Sequence, residues 1–113
     1  MRILLFYDLP TLSSANLKAY RDFVKDIIKI GFYRIQESVF VKMVINPQSV
    51  DSVYQKLEQI KPKEGNIFCI TVTEQQFSKM KFILGEIETD VISSTDRIIE
   101  LWSRLVLKPL ILI

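Results

Sequence analysis

The sequence predicts an α+β fold in which strands and helices alternate in the order β-α-β-β-α-β. Three observations support this prediction: a continuous apolar run at the N-terminus, two stretches with apolar residues at three- and four-residue spacing, and alternating runs between and after those stretches. The chain has 113 residues, of which 49% are hydrophobic and 25% are charged. One domain with a substantial core is therefore expected.

The first strand is predicted from the run Ile3–Tyr7, whose continuous apolar character is typical of a strand covered on both faces. Asp8 follows directly, and Pro10 cannot donate to a strand ladder, so the strand ends there. A carboxylate at the end of a buried strand is costly without a partner. Two interpretations stay open: Asp8 caps the turn, as Asp commonly does, or it meets a metal ion, a helix N-terminus or a backbone N–H.

A helix is predicted from the turn Thr11–Ser14, which holds several N-cap candidates, to about Ile30, where Gly31 ends it. Its apolar stripe consists of Leu17, Tyr20, Val24, Ile27 and Ile28. Four cationic side chains lie mostly off that stripe: Lys18, Arg21, Lys25 and Lys29. Because Asp22 and Asp26 lie among them, this face is either a salt-bridged solvated surface or a nucleic-acid contact.

The segment Phe32–Ile45 predicts two short antiparallel strands joined by a tight turn near Gln36–Ser38. One continuous strand would place Glu37 on the same face as apolar residues, and the turn removes that conflict. Asn46 and Pro47 then form a helix start, as N-cap and first helical residue. The apolar stripe of this second helix consists of Val50, Val53, Tyr54, Leu57 and Ile60.

The segment Lys61–Gly65 ends the second helix, and Asn66–Thr73 is predicted to be a strand because of its alternation and strong β-propensity. A short helical turn is expected in Glu74–Met80. The resulting β-α-β-β-α-β order is that of a ferredoxin-like domain.

The C-terminal part is predicted to meet a partner. Arg97–Trp102 indicates a further strand, and because the ferredoxin-like core is already complete, this strand needs an edge such as that of a neighbouring protomer. The apolar tail Leu105–Ile113 also needs cover. We therefore expect a ferredoxin-like domain at residues 1–92 and a segment at residues 93–113 for dimer or partner contacts. The contact residues expected there are Arg97, Ile98, Ile99, Leu101 and Trp102.

Composition excludes several classes of chemistry. The chain has no histidine, so histidine triads, histidine zinc sites and a histidine general base are excluded. Its one cysteine, Cys69, lies in an apolar run, which predicts a structural thiol and suits a reducing cytoplasm. The net charge of +2 is compatible with nucleic acid without requiring it. The apolar runs are too short to span a bilayer, so no membrane contact is expected.

Four segments, taken together, resemble a known family. They are Tyr7–Pro10, Gly31–Phe40, Lys61–Gly65 and Thr71–Phe77. In their order and spacing they are similar to the small CRISPR-associated adaptation proteins called Cas-two, particularly the version found beside single-effector, Cas-nine-type systems. The resemblance covers about residues 1–101.

The resemblance implies a symmetric homodimer of ferredoxin-like protomers whose C-terminal strands join the partner's sheet. It also implies that Asp8 is the family's acidic metal-binding and catalytic position, with two such carboxylates facing each other across the dyad. Such a pair could hold one Mg²⁺, or Mn²⁺, with its waters. The family has been described as endonucleases acting on RNA or double-stranded DNA. Tyr7, Arg34 and Ser38 are candidates for supporting the phosphate, the alternative being strand residues paired within the sheet.

A second hypothesis is a non-catalytic DNA-binding scaffold dimer that bridges integrase dimers in spacer acquisition. Double-stranded DNA would then be held through its backbone, the C-terminal tail would dock the integrase, and Asp8 would be structural. The phosphate contacts would be Lys18, Arg21, Lys25, Lys29 and Arg34. A single-stranded RNA reader has less support, because Val39–Val44 lacks the expected Gly- and aromatic-rich signature. A small-ligand regulatory domain is also less supported, since no Gly-rich phosphate loop is present.

Overall fold

The computed structural model describes residues 1–86, which form a four-stranded antiparallel sheet with two long helices and one short helix. The strands are β1 (Arg2–Asp8), β2 (Tyr33–Gln36), β3 (Val39–Met43) and β4 (Asn66–Val72), and the helices are α1 (Ser14–Ile30), α2 (Pro47–Ile60) and α3 (Glu74–Ser78). The sheet order β2-β3-β1-β4 confirms the predicted ferredoxin-like fold. The predicted strand Arg97–Trp102 and the tail Leu105–Ile113 lie outside the described residues. Within residues 1–86, no helix is long and apolar enough to cross a membrane.

Both long helices begin and end where the sequence predicts. Ser13 and Asn46 are the N-caps, and each side chain accepts a hydrogen bond from a backbone N–H three residues further on, at 3.1 Å and 2.9 Å. Pro47 occupies the first turn of α2, where no N–H partner is needed. Gly31 ends α1 with a φ of 119°, a left-handed conformation that glycine adopts without steric cost.

The two long helices pack on one face of the sheet and enclose the main core. The core residues there include Ile3, Leu5 and Tyr7 of β1, Phe40 of β3, Phe23 and Ile27 of α1, and Val53 and Leu57 of α2. The predicted stripe of α2 is confirmed. The predicted stripe of α1 is partly wrong, because Phe23 lies at its centre whereas Leu17 and Ile28 are 40% and 55% exposed. Burying the Phe23 ring removes more apolar area from water than burying Leu17 would.

The β2–β3 hairpin turns at Glu37–Ser38, which confirms the predicted turn. Its register shifts between Arg34 and Gln36, so β2 contains a β-bulge. In β3 the two sheet faces are both apolar: Phe40 faces the helices and Val41 belongs to the cluster on the other side.

The second sheet face carries a smaller apolar cluster. Residues 74–86 cover this cluster, and we call this segment the strap. The buried members of this cluster are Leu4, Ile35, Val41 and Phe77. The strap begins with α3, which confirms the helical turn predicted in Glu74–Met80. Its other end lies at β2, where Gln36 Nε2 donates a hydrogen bond to the Glu86 carbonyl at 2.7 Å. It covers only part of the face, because Phe68 and Ile70 of β4 remain 62% and 53% exposed.

Arg2 fastens the strap to the sheet. Its side chain is 4% exposed, and its Nε donates to both carboxylate oxygens of Glu74, at 3.1 Å and 3.0 Å. Its Nη1 donates to the Tyr33 hydroxyl at 2.7 Å, and the guanidinium lies 4.2 Å from the centre of the Phe77 ring. A buried cation needs such compensation to be tolerated. The hydrogen bond from Arg2 lowers the pKa of the Glu74 carboxyl below its usual value.

Glu74→Gln is expected to lower the free energy of unfolding at neutral pH, because Arg2 loses the charge it pairs with. A carboxyl whose pKa is depressed in the folded state stabilises the fold above its unfolded pKa, and this contribution is lost as the pH falls through the folded-state pKa. Urea unfolding at a series of pH values measures the free energy of unfolding of both proteins. The values for wild type and variant should converge as the pH falls below 4.5, the usual pKa of a Glu carboxyl.

The control for this experiment is Glu58→Gln, which removes the exposed ion pair with Lys61 and should change stability little at any pH. A stability difference between wild type and Glu74→Gln that persists undiminished in acid would contradict the electrostatic role of Glu74.

Candidate active site

Asp8 is the last residue of β1, and its side chain is exposed. Because successive side chains of a strand point to opposite faces, Asp8 shares the face of Leu4 and Phe6, away from the two long helices. In the ladder with β4 it pairs with Asn66. The carboxylate therefore lies at the end of the sheet face that the strap covers only in part.

The exposure of Asp8 changes its interpretation. The expected desolvation cost does not arise, because burial along β1 stops one residue earlier, at Tyr7. The turn-cap interpretation is not supported either, since α1 is capped by Ser13 and the Asp8 carboxylate makes no hydrogen bond or ion pair within residues 1–86. Its oxygens are available to a ligand from outside the described part of the protomer.

A stacked aromatic pair, of which one ring is largely exposed, lies beside Asp8. Phe6 and Phe68 are partners in the β1–β4 ladder, and their rings stack with centroids 5.3 Å apart and planes inclined by 17°. The sequence pattern does not predict this pair, because Phe6 and Phe68 are distant in the chain, although the alternation of β4 places Phe68 and Ile70 on one face. Two stacked rings with one largely exposed indicate a contact surface next to the carboxylate.

The turn before β4 approaches Asp8 closely. Gly65 has a φ of 109°, and a Cβ there would lie 2.9 Å from the Asp8 carbonyl oxygen and 2.6 Å from Leu9 Cδ2. Both the conformation and the lack of space require glycine. Gly65 thus allows the end of β1 and the start of β4 to pack against each other.

Of the two interpretations of Tyr7, the structure supports the strand residue paired within the sheet and not the phosphate contact. Its side chain is 5% exposed and belongs to the core beneath the helices. Its hydroxyl donates to the Glu37 carbonyl at 3.1 Å and lies 3.2 Å from the Tyr20 hydroxyl. Burial, reinforced by Tyr20, raises the pKa of Tyr7 well above its usual value, so the group is a neutral hydroxyl.

The four cationic residues of α1 are all exposed. Lys18 Nζ lies 2.7 Å from Asp22 Oδ2, and this hydrogen bond lowers the pKa of the Asp22 carboxyl. Within residues 1–86 the remaining three, Arg21, Lys25 and Lys29, form no ion pair. Because α1 covers one face of the sheet and Asp8 shares the other, the cationic row and the carboxylate lie on opposite sides.

Arg34 differs from the cations of α1. It is partly buried, with its guanidinium 5.2 Å from the centre of the Phe40 ring, and its Nε is enclosed without a hydrogen-bond partner in the described part of the chain. Ser38, the third candidate for phosphate support, accepts a hydrogen bond from the Tyr7 backbone N–H through its carbonyl at 3.1 Å. Its backbone therefore ties the hairpin turn to β1.

The donor set around Asp8 within residues 1–86 limits how a metal ion could be held. No group of three or more His, Cys, Asp or Glu side chains within residues 1–86 could hold a metal ion. Mg²⁺ needs only one or two carboxylates when waters complete its shell, so Asp8 fits such an ion together with a second group from elsewhere. Cys69 is half-buried, and burial raises the pKa of its thiol to about 11, which makes it a poor ligand or nucleophile.

The sequence matches known proteins over most of its length. A family model described as CRISPR associated protein Cas2 matches residues 1–80. A "CRISPR-associated endoribonuclease Cas2" of Treponema denticola is 40% identical over 101 residues, which cover 89% of this chain and 100% of that protein. Proteins of the same name from Streptococcus mutans (strain UA159) and Ligilactobacillus salivarius are 38% and 36% identical, each over 99 residues and 88% of this chain, and over 91% and 98% of their own lengths.

Gly65→Ala is expected to lower the free energy of unfolding by about 3 kcal/mol, because a methyl group would add a clash with Leu9 and Asp8 to the cost of a positive φ. The matched control is Gly85→Ala, where φ is also positive, at 88°, but nothing lies within 4 Å of the added carbon. That control should cost about 1 kcal/mol, from the backbone conformation alone. If urea unfolding showed an equal loss of unfolding free energy in both variants, the contact between Gly65 and the end of β1 would not require glycine.

Proposed function

The chain belongs to the CRISPR-associated Cas2 family, and on that premise we propose that it is a metal-dependent endonuclease. The observation that carries the proposal is the exposed Asp8 carboxylate, which has no partner within residues 1–86. Because the relatives are named endoribonucleases, RNA is the first substrate to test, and double-stranded DNA is the second. The association with a Cas-nine-type system stays a prediction.

The proposed active form is a homodimer built on the sheet face that the strap leaves uncovered. Phe68 and Ile70 give this face an exposed apolar surface, which favours association. In a two-fold symmetric dimer the same patch meets itself, so a residue close to the axis faces its own copy in the partner. In the proposed dimer Asp8, which shares this sheet face with Phe6, would lie close to the axis. Residues 93–113 would add further contacts to the dimer or to an integrase.

Two Asp8 carboxylates, one from each protomer, would hold one Mg²⁺ or Mn²⁺ together with waters. When bound, such an ion polarises a phosphodiester and lowers the pKa of a coordinated water. The protein's own contribution is to hold Asp8 at the end of a central strand, where β4 and Gly65 fix its backbone. The chain has no histidine, so an imidazole base is not available to replace this chemistry.

A second function, a DNA-binding scaffold between integrase dimers in spacer acquisition, is favoured by a different observation. The exposed row Lys18, Arg21, Lys25 and Lys29 lies on the opposite side of the sheet from Asp8. A duplex held along α1 by phosphate contacts would not need the carboxylate. Arg34 would add less to this surface, because it is partly buried. Both functions would operate in the cytoplasm.

Asp8→Asn is expected to reduce Mg²⁺-dependent cleavage of RNA by at least about 100-fold, because the amide keeps the size of the side chain and removes its negative charge. Cleavage is measured with purified dimer, whose mass and melting temperature should stay unchanged. Asp51→Asn, which alters an exposed carboxylate on α2, is the control and should keep full activity. Wild-type cleavage by the Asp8 variant would contradict the nuclease proposal.

The double variant Arg21→Gln/Lys25→Gln is expected to weaken binding of double-stranded DNA and to make it less sensitive to salt. Each lost phosphate contact should make the plot of log affinity against log salt shallower by about 0.9. Fluorescence anisotropy at several salt concentrations measures this slope. Lys56→Gln on α2 removes an exposed cation outside the row and is the control. An unchanged slope in the double variant would show that DNA does not follow α1.

A further inference from the structure

We propose that Tyr20 of α1 is a positioning residue for Asp8, which it reaches through the hydroxyl of Tyr7. The inference rests on the proposed function in so far as Asp8 acts in cleavage. Tyr7 lies in the core beneath the helices and Tyr20 packs against that core, so they would act on Asp8 through the backbone of β1.

A chain of hydrogen bonds links α1 to the hairpin turn through β1. The Tyr7 hydroxyl lies 3.1 Å from the Glu37 carbonyl oxygen and 3.2 Å from the Tyr20 hydroxyl. A carbonyl oxygen can only accept, so the single Tyr7 proton is directed to Glu37. Tyr20 therefore donates to the Tyr7 oxygen, and the chain has one direction.

The hairpin turn needs this support. Two-residue hairpin turns usually contain Gly or Asn with positive φ, whereas the turn Glu37–Ser38 has no glycine, and within residues 1–86 only glycines have positive φ. Tyr7 instead binds both residues of the turn. Its hydroxyl donates to the Glu37 carbonyl, and its backbone N–H donates to the Ser38 carbonyl at 3.1 Å.

The ring of Tyr7 is also held by its neighbours. It packs edge-on against Tyr20 and Phe23 of α1, with centroids 5.7 Å and 5.8 Å away. Asp8 follows directly and points to the other face, so its direction depends on the backbone that Tyr7 fixes. The Asp8 side chain has no hydrogen bond of its own within the described part of the chain. Besides the pairing with Asn66, the anchoring of Tyr7 determines where the carboxylate lies.

The fold offers a matched control for this hydroxyl chain. The Tyr54 hydroxyl of α2 lies 3.1 Å from Thr71 Oγ1 of β4. Like the bond between Tyr20 and Tyr7, this hydrogen bond links a helix to the sheet. Thr71 pairs with Ile3, near the opposite end of β1 from Asp8. Tyr54→Phe and Tyr20→Phe therefore remove the same atom and the same kind of bond at the two ends of the sheet.

The experiment compares Tyr20→Phe with Tyr54→Phe in the full chain, by amide hydrogen exchange and by cleavage kinetics. In Tyr20→Phe the Tyr7 amide should exchange about fivefold faster, whereas the Val44 amide, which donates to Met1 at the other end of the sheet, should not change. The kcat for Mg²⁺-dependent RNA cleavage should fall about fivefold, with KM within about twofold of wild type. Tyr54→Phe should leave both the Tyr7 amide and kcat unchanged.

Two results would overturn the proposal: equal effects of the two variants on kcat, or faster exchange at Tyr7 without any change in kcat. A failure of the proposed function is recognised separately, because Asp8→Asn would then cleave as fast as wild type. In that case the ratio of the Tyr7 and Val44 exchange rates alone decides whether Tyr20 holds the Asp8 end of β1.

Discussion

The two-sided burial of β1 is the constraint on which the rest of the structure depends. β1 is a central strand that pairs with both β3 and β4, so its backbone is bonded on both edges. Ile3, Leu5 and Tyr7 anchor the helices on one face, while Leu4 anchors the strap on the other. The strand can end in an exposed carboxylate because everything before it is fixed. The backbone of Asp8 is held by the β1–β4 ladder, while its carboxylate is exposed and accessible to a ligand.

The two sheet faces differ in how completely they are covered, and each candidate function uses a different side of the domain. The helices enclose one face and present their cations to solvent. The strap covers only part of the other face, where Arg2 and Glu74 hold it, and leaves Phe68 and Ile70 exposed on the face that Asp8 shares. A polyanion that binds α1 and a second copy that binds the open face would not compete for the same surface. One small domain can therefore combine a DNA contact with a dimer contact.

Much of the fold is predictable from the sequence, because its strong signals are local. Helix caps such as Ser13 and Asn46, and the alternation in β4, depend on residues close in the chain. The site is less predictable, because its contacts are distant in sequence: Arg2 meets Glu74, and Tyr7 meets Tyr20 and Glu37. The residue type of Asp8 suggested a site, but its exposure depends on where tertiary burial stops. For the same reason the predicted stripe of α1 includes the exposed Leu17 and Ile28 and omits the buried Phe23.

If two Asp8 carboxylates share one ion, as proposed, the chemistry depends on assembly. Residues 1–86 contain no group of three or more His, Cys, Asp or Glu side chains that could hold the ion within one protomer, so the shared site would need the second copy. Metal-dependent cleavage would then vary with protomer concentration, because only the proposed dimer would bring the two carboxylates together. Binding of a duplex along α1 would use the exposed cations that each protomer carries, and the proposed dimer would add avidity to them. Dissociation would therefore abolish cleavage and only weaken DNA binding, so the two functions differ in how strictly they require the second copy.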